Sequence, residues 1–317
     1  MKYAFIVNPK SGQGKQRQYL EPKINKLIED NPDKDIKTYY TRGEKDATLL
    51  ADLIAKEADD EVVVFACGGD GTLQEIANGL VGHENAAMGV VPVGSGNDFV
   101  RTLGSDAKAA EKYLDLQKQL DAPIKKIDLI KLTWEENGSE KFAYINNGIN
   151  IGFDGYTAIL AHEYKKLPAV SGTGSYILAL AKTLIEKKGE NLRIVADGKE
   201  FFNGPMLLAT ASNGAYCGGG FMSCPNANLN DGLLELFIAN DLSRTKFLKI
   251  VPKYKSGNIF DVPNEDNTIY KYTQAKKIEI TPNTAETMKF VGDGEIFETG
   301  KLIVEVVCDA LNVVCIE

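Results

Sequence analysis

The sequence predicts an α/β protein of two domains: an N-terminal doubly wound, Rossmann-like parallel-sheet domain and a C-terminal antiparallel β-sandwich domain. Three observations carry this. In the first third, apolar β-branched runs alternate with amphipathic patterns of ~10–15 residues, the rhythm of strand–helix–strand units. From Pro123 onward, short runs of β-formers follow one another with turn signals between them, as in a sandwich. The length, 317 residues, exceeds one average domain. The expected division is 1–123 for the α/β domain and 124–317 for the sandwich.

Taken in order, Tyr3–Val7 is a strand that ends in the turn Asn8–Gly12. Leu20, Ile24, Leu27 and Ile28 mark one face of a helix. Asp35–Thr41 is a second strand, Ala47–Ala58 a second helix and Glu61–Ala66 a third strand, apolar enough to be buried on both faces. Next come Gly68, Gly69, Asp70, Gly71 and Thr72, opening a helix with Leu73, Ile76, Ala77 and Leu80 on one side. Met88–Val91 is a fourth strand, followed by PVGSGNDFVRTLG. In the second domain the runs include IKKIDLIKLTW, EKFAYINNGINIGF, NLRIVADGKEFF, PMLLATASNG, LLELFIAN, KKIEITP, TMKFVGDGEIFE and KLIVEVVCDALNVVCIE. A single helix, roughly 175–188, interrupts them.

Composition excludes several classes of function. The net charge of −8 leaves no general basic surface for nucleic acid, so no nucleic-acid partner is expected. Five cysteines without CxxC spacing and two histidines give no zinc pattern; free thiols in a reducing cytoplasm are the expectation. The start, MKYAFIVNPKSG, is too short in its apolar part for a secretion signal and reads as the first strand. No apolar run reaches the ~20 residues that span a bilayer. A cytoplasmic protein is expected, peripheral at the inner face of the membrane at most.

Three loops, Asn8–Gly14, Gly68–Thr72 and Gly94–Asp98, each follow the C-terminal end of a strand, where open α/β sheets bind ligands. Glycines let an anion reach backbone N–H groups, and each loop runs into a helix N-terminus with its partial positive charge. A phosphate suits that edge; tight turns alone are the plainer alternative. Two familiar phosphate motifs fail. NPKSGQGKQ has Pro9 and Gln16 where a Walker A loop needs Gly and Ser or Thr, and Gly94 and Gly96 are followed by Phe99 instead of the third glycine of GxGxxG. A carboxylate among phosphate-binding amides would repel a nucleotide unless a cation lay between them, which points to Mg²⁺ at Asp70.

GGDGT with QEIANGL after it, PVGSGNDFVR at 92–101, NPKSG at 8–12, NGAYCGGGFMSCPNANLNDGLLEL at 213–236 and VGDGE at 291–295 resemble, in matching order, the diacylglycerol and sphingosine kinase catalytic domain, and above all the small bacterial soluble lipid kinases. The resemblance implies a nucleotide in the cleft between the two domains. It implies that Asn8, Ser11, Thr41, Gly68, Gly69, Asp70, Gly71, Thr72, Ser95 and Asn97 contact ATP, with Asp70 acting through Mg²⁺. It implies a second, structural Mg²⁺ held by the carbonyls of Asn228 and Leu233 and the side chain of Asp231. It also marks GDGE as the catalytic segment, with Asp293 as general base and Glu295 assisting, the reverse assignment left open, and Asp98 as the third candidate.

Each of these residues has a plainer reading. Asn97 and Asp98 precede a helical run and suit an N-cap; Glu75 suits a capping box; Asp231-Gly232 and Asp293-Gly294 suit hairpin turns. The expected activity is ATP- and Mg²⁺-dependent phosphorylation of a lipid hydroxyl, diacylglycerol giving phosphatidic acid. A kinase of a soluble hydroxyl substrate, NAD-kinase-like, and a silent nucleotide-binding module are the alternatives. The GSGNDF and GDGE segments stand against the first, and the filled acidic positions against the second. The lipid would be met at the membrane surface: between 160 and 199, basic residues, Lys165, Lys166, Lys187 and Lys188 among them, outnumber acidic ones, with a solvated helix face as the plain alternative. A homodimer is the default oligomer.

Overall fold

Strand β1 (Lys2–Val7) lies between β2 (Asp35–Tyr40) and β3 (Val62–Gly68), all parallel, with β4 (Ala86–Pro92) beyond β3. The protein is seen here in a computed structural model, which describes residues 1–11, 16–94, 96–104, 108–164, 172–186 and 189–316. Every residue of β3 and β4 is buried, as their unbroken apolar runs require of central parallel strands. Helices α1 (Gln16–Asp30), α2 (Asp46–Glu57) and α3 (Asp70–Leu80) make the connections, and short helices α4 (Asp98–Leu103), α5 (Ala109–Lys112) and α6 (Leu116–Leu120) follow β4. In the core, the Phe5 and Phe65 rings stack at 4.3 Å.

Strand β5 (Ile124–Glu136) leads into the second unit, where the ladders are antiparallel. Its elements run β6 (Ser139–Ile145), β7 (Gly148–Gly152), α7 (Phe153–Tyr164), α8 (Gly172–Glu186), β8 (Glu190–Ala196), β9 (Lys199–Ser212), β10 (Leu234–Asn240), α9 (Arg244–Lys255), β11 (Tyr270–Ala275), β12 (Lys277–Pro282), β13 (Met288–Gly292), β14 (Glu295–Thr299) and β15 (Leu302–Val314). Neighbouring strands run β14-β13-β7-β9-β8-β12-β15, and β10 joins β9 to β11. One apolar core fills the strand layer, through Ile149, Ile151, Leu236, Phe290 and Val304 among others; a second gathers Phe153, Leu207, Phe237, Phe247 and Tyr254 around α7 and α9.

Two expectations change. The chain divides at Leu129/Ile130 instead of 123/124, and the residues from Cys308 on belong to the first unit. Both crossings fall inside strands, β5 and β15, so no loop marks them. The end of β15 pairs in parallel with β4, Asn312 beside Ala87 and Val313 beside Met88. The single expected helix of the second domain becomes three among the described residues, α7, α8 and α9. EKFAYINNGINIGF reads as β-rich to its end, yet Gly152 (φ 76°) ends the strand, Phe153 starts α7, and the helix runs on to Tyr164. In α9, Pro252 and the lysines mask the helical spacing of Phe247, Ile250 and Tyr254. Ser95, Lys165, Lys166, Lys187 and Lys188 lie outside the described residues. None of the described helices is long and apolar enough to cross a membrane. All five cysteines are free thiols.

Candidate active site

Because β1 to β4 are parallel, the turns after Val7, Tyr40, Gly68 and Pro92 leave one edge of the sheet. The strand order reverses between β1 and β3, the switch point at which open α/β sheets bind ligands. There Asn8 Nδ2 donates to Thr72 Oγ1 at 3.2 Å, while Asn8 Oδ1 accepts from Lys10 N–H at 3.0 Å. Ser11 N–H donates to Asn8 O at 3.1 Å, and Thr41, buried, donates its N–H to Val7 O at 3.0 Å. Asn8, Ser11, Thr41 and Gly68–Thr72 therefore share one edge.

Part of the glycine pattern answers to the protein itself. A Cβ on Gly68 would overlap the Thr72 side chain, and one on Gly94 would overlap the Gly69 Cα. Bare Gly68 lets Thr72 fold back within its own loop and bare Gly94 lets the two loops pack on each other, so ligand approach is not their sole reason. Gly71 differs: a Cβ there meets nothing within 4 Å.

Asp70 joins the loops. Its Oδ2 accepts from Asn97 N–H at 2.8 Å and its Oδ1 from Asp98 N–H at 3.0 Å, so the orphan donors opening α4 are met from across the sheet edge. This corrects the reading of Asn97 as the capping side chain. Asn97 sits at the N-cap with φ 56° and donates its amide to Gly94 O at 3.0 Å, away from the helix. Glu75 caps a different helix from the one expected, its Oε2 accepting from Ala47 N–H of α2 at 3.1 Å. Burial pushes the Asp70 carboxyl above its ordinary range, and the N–H groups of Asn97, Asp98 and Phe99 pull it back.

A Cβ on Gly96 would overlap the Asp70 carboxylate and stand 3.9 Å from Asp98 Oδ2. The bare Gly96 backbone therefore lets the Asp70 carboxylate pack against it, with the Asp98 carboxylate close by. That arrangement fits a divalent cation, which takes one or two carboxylates alongside phosphate and water oxygens. Arg101 Nη1 offsets part of the charge, contacting Asp98 Oδ1 at 3.1 Å and bonding Gly96 O.

In the second unit, Asp293 (φ 45°) and Gly294 (φ 92°) form the two-residue turn between β13 and β14. The hairpin reading therefore holds, and the carboxylate has a further task. Asp293 Oδ2 accepts from Asn146 N–H at 2.6 Å, Oδ1 accepts from Gly148 N–H at 3.0 Å, and Asn147 N–H is shared between both oxygens at 3.1 and 3.2 Å. The turn is pinned to the β6–β7 junction. Glu295, first residue of β14, is exposed.

In the loop before β10, Asn228 Oδ1 accepts from Asn230 N–H at 3.3 Å and Asp231 Oδ1 from Leu233 N–H at 3.0 Å, with Gly232 at φ 69°. The preceding strand, β9, ends at Ser212, so this turn closes a long connection into β10 and is not a tight hairpin. Glu235, just inside β10, is buried; its Oε1 accepts from Gln274 at 2.8 Å, and the Tyr272 hydroxyl faces the same carboxylate. The oxygen-only donors of Asn228, Asp231 and Leu233 are the chemistry a hard cation that keeps several waters takes. Among the described residues no three His, Cys, Asp or Glu side chains cluster as a metal site by themselves. Sequence reading missed Glu235 and Asp128, which is also buried and accepts from Asp309 N–H at 2.9 Å. The signal was a carboxylate inside an apolar run, LLELF and IDLIKL.

Below α9, Tyr254 OH donates to Asp154 Oδ2 at 2.9 Å and lies 3.4 Å from Thr210 Oγ1, which donates to Asn150 Oδ1 at 3.0 Å. Burial pushes the Asp154 carboxyl up to about 6 from 3.8. The folded state therefore holds that proton more tightly than the unfolded chain, and stability is lost as pH rises between those values. Asp154→Asn keeps an acceptor for Tyr254 and removes the titration. Its unfolding temperature should exceed the wild type's at about pH 8 and lose that advantage near pH 4. Parallel wild-type and variant melting curves across this range would refute the assignment.

Residues 2–132 match the family described as diacylglycerol kinase catalytic domain, and residues 149–315 match the YegS C-terminal NAD kinase beta sandwich-like domain. The diacylglycerol kinase of Bacillus subtilis (strain 168) is 30% identical over 300 residues, 93% of this chain and 90% of that one. A diacylglycerol kinase of Mycobacterium tuberculosis (strain ATCC 25618 / H37Rv) is 28% identical over 240 residues, 76% of this chain and 69% of its own. The crystal structure of a diacylglycerol kinase from Bacillus anthracis str. Sterne superposes with a TM-score of 0.69 at 25% identity, covering 99% of this chain and 97% of that one. Yeast NADH kinase shares the fold alone, with a TM-score of 0.50 at 11% identity and coverage of 100% and 84%. With residues 2–132 matched by the diacylglycerol kinase catalytic domain and 93% of the chain aligned at 30% identity with a diacylglycerol kinase, the chain belongs to the diacylglycerol kinase family of lipid kinases.

Proposed function

We propose that the protein transfers the γ-phosphoryl group of ATP to the hydroxyl of a diacylglycerol, giving phosphatidic acid. The observation that carries this is the meeting of four strand-end loops at the switch point, with the Asp70 and Asp98 carboxylates close together beside Gly96. Asn8, Ser11, Thr41 and Gly68–Thr72, with Ser95 and Asn97, would line the nucleotide phosphates. Asp70 and Asp98 would hold Mg²⁺, which when bound neutralises the charge on the phosphate oxygens. The N-terminus of α3, with its partial positive charge, lies at the same edge.

The hydroxyl's proton would pass to Asp293. Three amides fill its oxygens, but Asn147 N–H is shared between both. A substrate hydroxyl can take one of those two positions while every amide keeps a partner. Glu295, exposed beside it, would assist. Asn228, Asp231 and Leu233 would hold a second Mg²⁺ that stiffens the entry to β10 and takes no part in the chemistry.

Incubation with labelled ATP and a panel of diacylglycerol, phosphatidylglycerol, a sphingoid base, undecaprenol and NAD tests the reading. A labelled product from diacylglycerol is expected. Label on NAD alone would make it a soluble-substrate kinase, and no label on any acceptor, with ATP still bound, would make it a silent module.

Gly71 gives an independent check on the nucleotide loop. Gly71→Ala meets no atom of the described residues and improves a helical first turn, so stability should rise by about 0.4–1 kcal/mol. ATP affinity should nevertheless fall, because the added methyl stands where the phosphates would approach. Unchanged affinity in calorimetry would remove Gly71 from the site.

A further inference from the structure

The strongest unexplained surface feature among the described residues is α9. Its sequence, RTKFLKIVPKYK, holds five basic residues and no acidic one, in a chain of net charge −8. One side, Phe247, Ile250 and Tyr254, is buried in the second core of its unit. At a helical 100° per residue, Leu248 points away from that core and is 52% exposed, with the exposed Pro252 one turn on; Lys249 lies across the outer face, and Lys253, further round it, pairs with the exposed Asp261 at 3.6 Å.

Arg244 extends this face. Its guanidinium donates to Leu184 O at 3.2 Å and to Ile185 O at 2.7 Å, meeting carbonyls left unpaired at the end of α8. That bond sets Ile185, 72% exposed, beside the first turn of α9. A single exposed leucine is ordinary. Two large aliphatic side chains at the junction of two helices, set among cations, form the pattern of a helix lying in a membrane interface.

We propose that this α9 face, with the end of α8, docks on an anionic lipid bilayer, Leu248 and Ile185 entering the headgroup boundary while Lys249 and Lys253 meet lipid phosphates. A bilayer meets both features at once, since it offers negative charge and a place to bury aliphatic carbon. Nucleic acid would meet the charge and leave the aliphatics in water. A second copy of the chain would set two helices of the same sign against each other. The acidic excess over the rest of the chain repels the same lipids and so favours this approach. The proposal goes beyond phosphoryl transfer and is read without turnover.

The test is sedimentation of the full chain with extruded phosphatidylcholine vesicles, with and without phosphatidylglycerol, in the absence of nucleotide. Binding should require phosphatidylglycerol and weaken with salt. At ~1 kcal/mol per basic residue near the surface, K249E/K253E should weaken partition by roughly thirtyfold or more. K23E/K26E, on exposed positions of α1, should change it far less, and Leu248→Ser should weaken the part of binding that survives high salt. Melting temperatures near the wild type's would show that the variants are folded. Equal losses in the two lysine pairs would reduce the effect to net charge and overturn the proposal. So would vesicle binding that the α9 variants leave unchanged, or a wild-type chain that ignores phosphatidylglycerol.

Discussion

Asp70→Asn should lower turnover by about a hundredfold or more, the cost of removing a preorganised charge from a phosphoryl-transfer site. The structure adds a second effect. Asp70 accepts from the N–H groups of both Asn97 and Asp98, and an asparagine can accept through only one of its two terminal atoms. Its NH₂ would face a donor, leaving one backbone N–H unpaired at about 1–3 kcal/mol. The variant should therefore melt below the wild type while remaining folded. Calorimetric titration of ATP with varied Mg²⁺ separates the two effects: loss of the carboxylate should abolish the metal's contribution to ATP binding, which a merely loosened loop would retain. Near-normal turnover at saturating Mg²⁺ would end the metal assignment.

Asp293→Asn should lower lipid phosphorylation by roughly 10²–10⁴, the range for a positioned general base. ATP affinity should hold, because the nucleotide loops belong to the first unit. Thermal stability should fall, an outcome visible only once the carboxylate is seen bound to the amides of Asn146, Asn147 and Gly148. Glu295→Gln alters an exposed strand residue and should leave the melting temperature unchanged. If Asp293→Asn stays active and Glu295→Gln does not, the base is Glu295 and Asp293 holds the turn. If both stay active the base lies elsewhere, and Asp98 is the next residue to replace.

The α/β half was legible because β1, β3 and β4 are nearly continuous apolar runs and helices α1 to α3 carry their core face at helical spacing, both set by local sequence. Loops follow those strands in order, so the sharing of one edge by Asn8, Asp70 and Asp98 came from the parallel topology that the rhythm implied. The antiparallel half was legible as strands and turns, Asp293-Gly294 included, because those preferences are also local.

Partnerships across long separations were not legible. Asp70 capping α4, Glu75 capping α2, and Asp293 reaching the β6–β7 junction each pair groups tens to more than a hundred residues apart. A short motif shows that a carboxylate is present and leaves open which donors surround it. Helix α9 escaped for the converse reason: its lysines and Pro252 spoil the local signal, and packing of Phe247, Ile250 and Tyr254 on the core overrides it. The sequence by itself determined the order of strands, the phosphate-suited loops and the chemistry of their side chains. Tertiary structure decided which glycines serve internal packing and which remain open, because only the folded chain sets the Gly68 backbone against Thr72 and leaves Gly71 facing empty space.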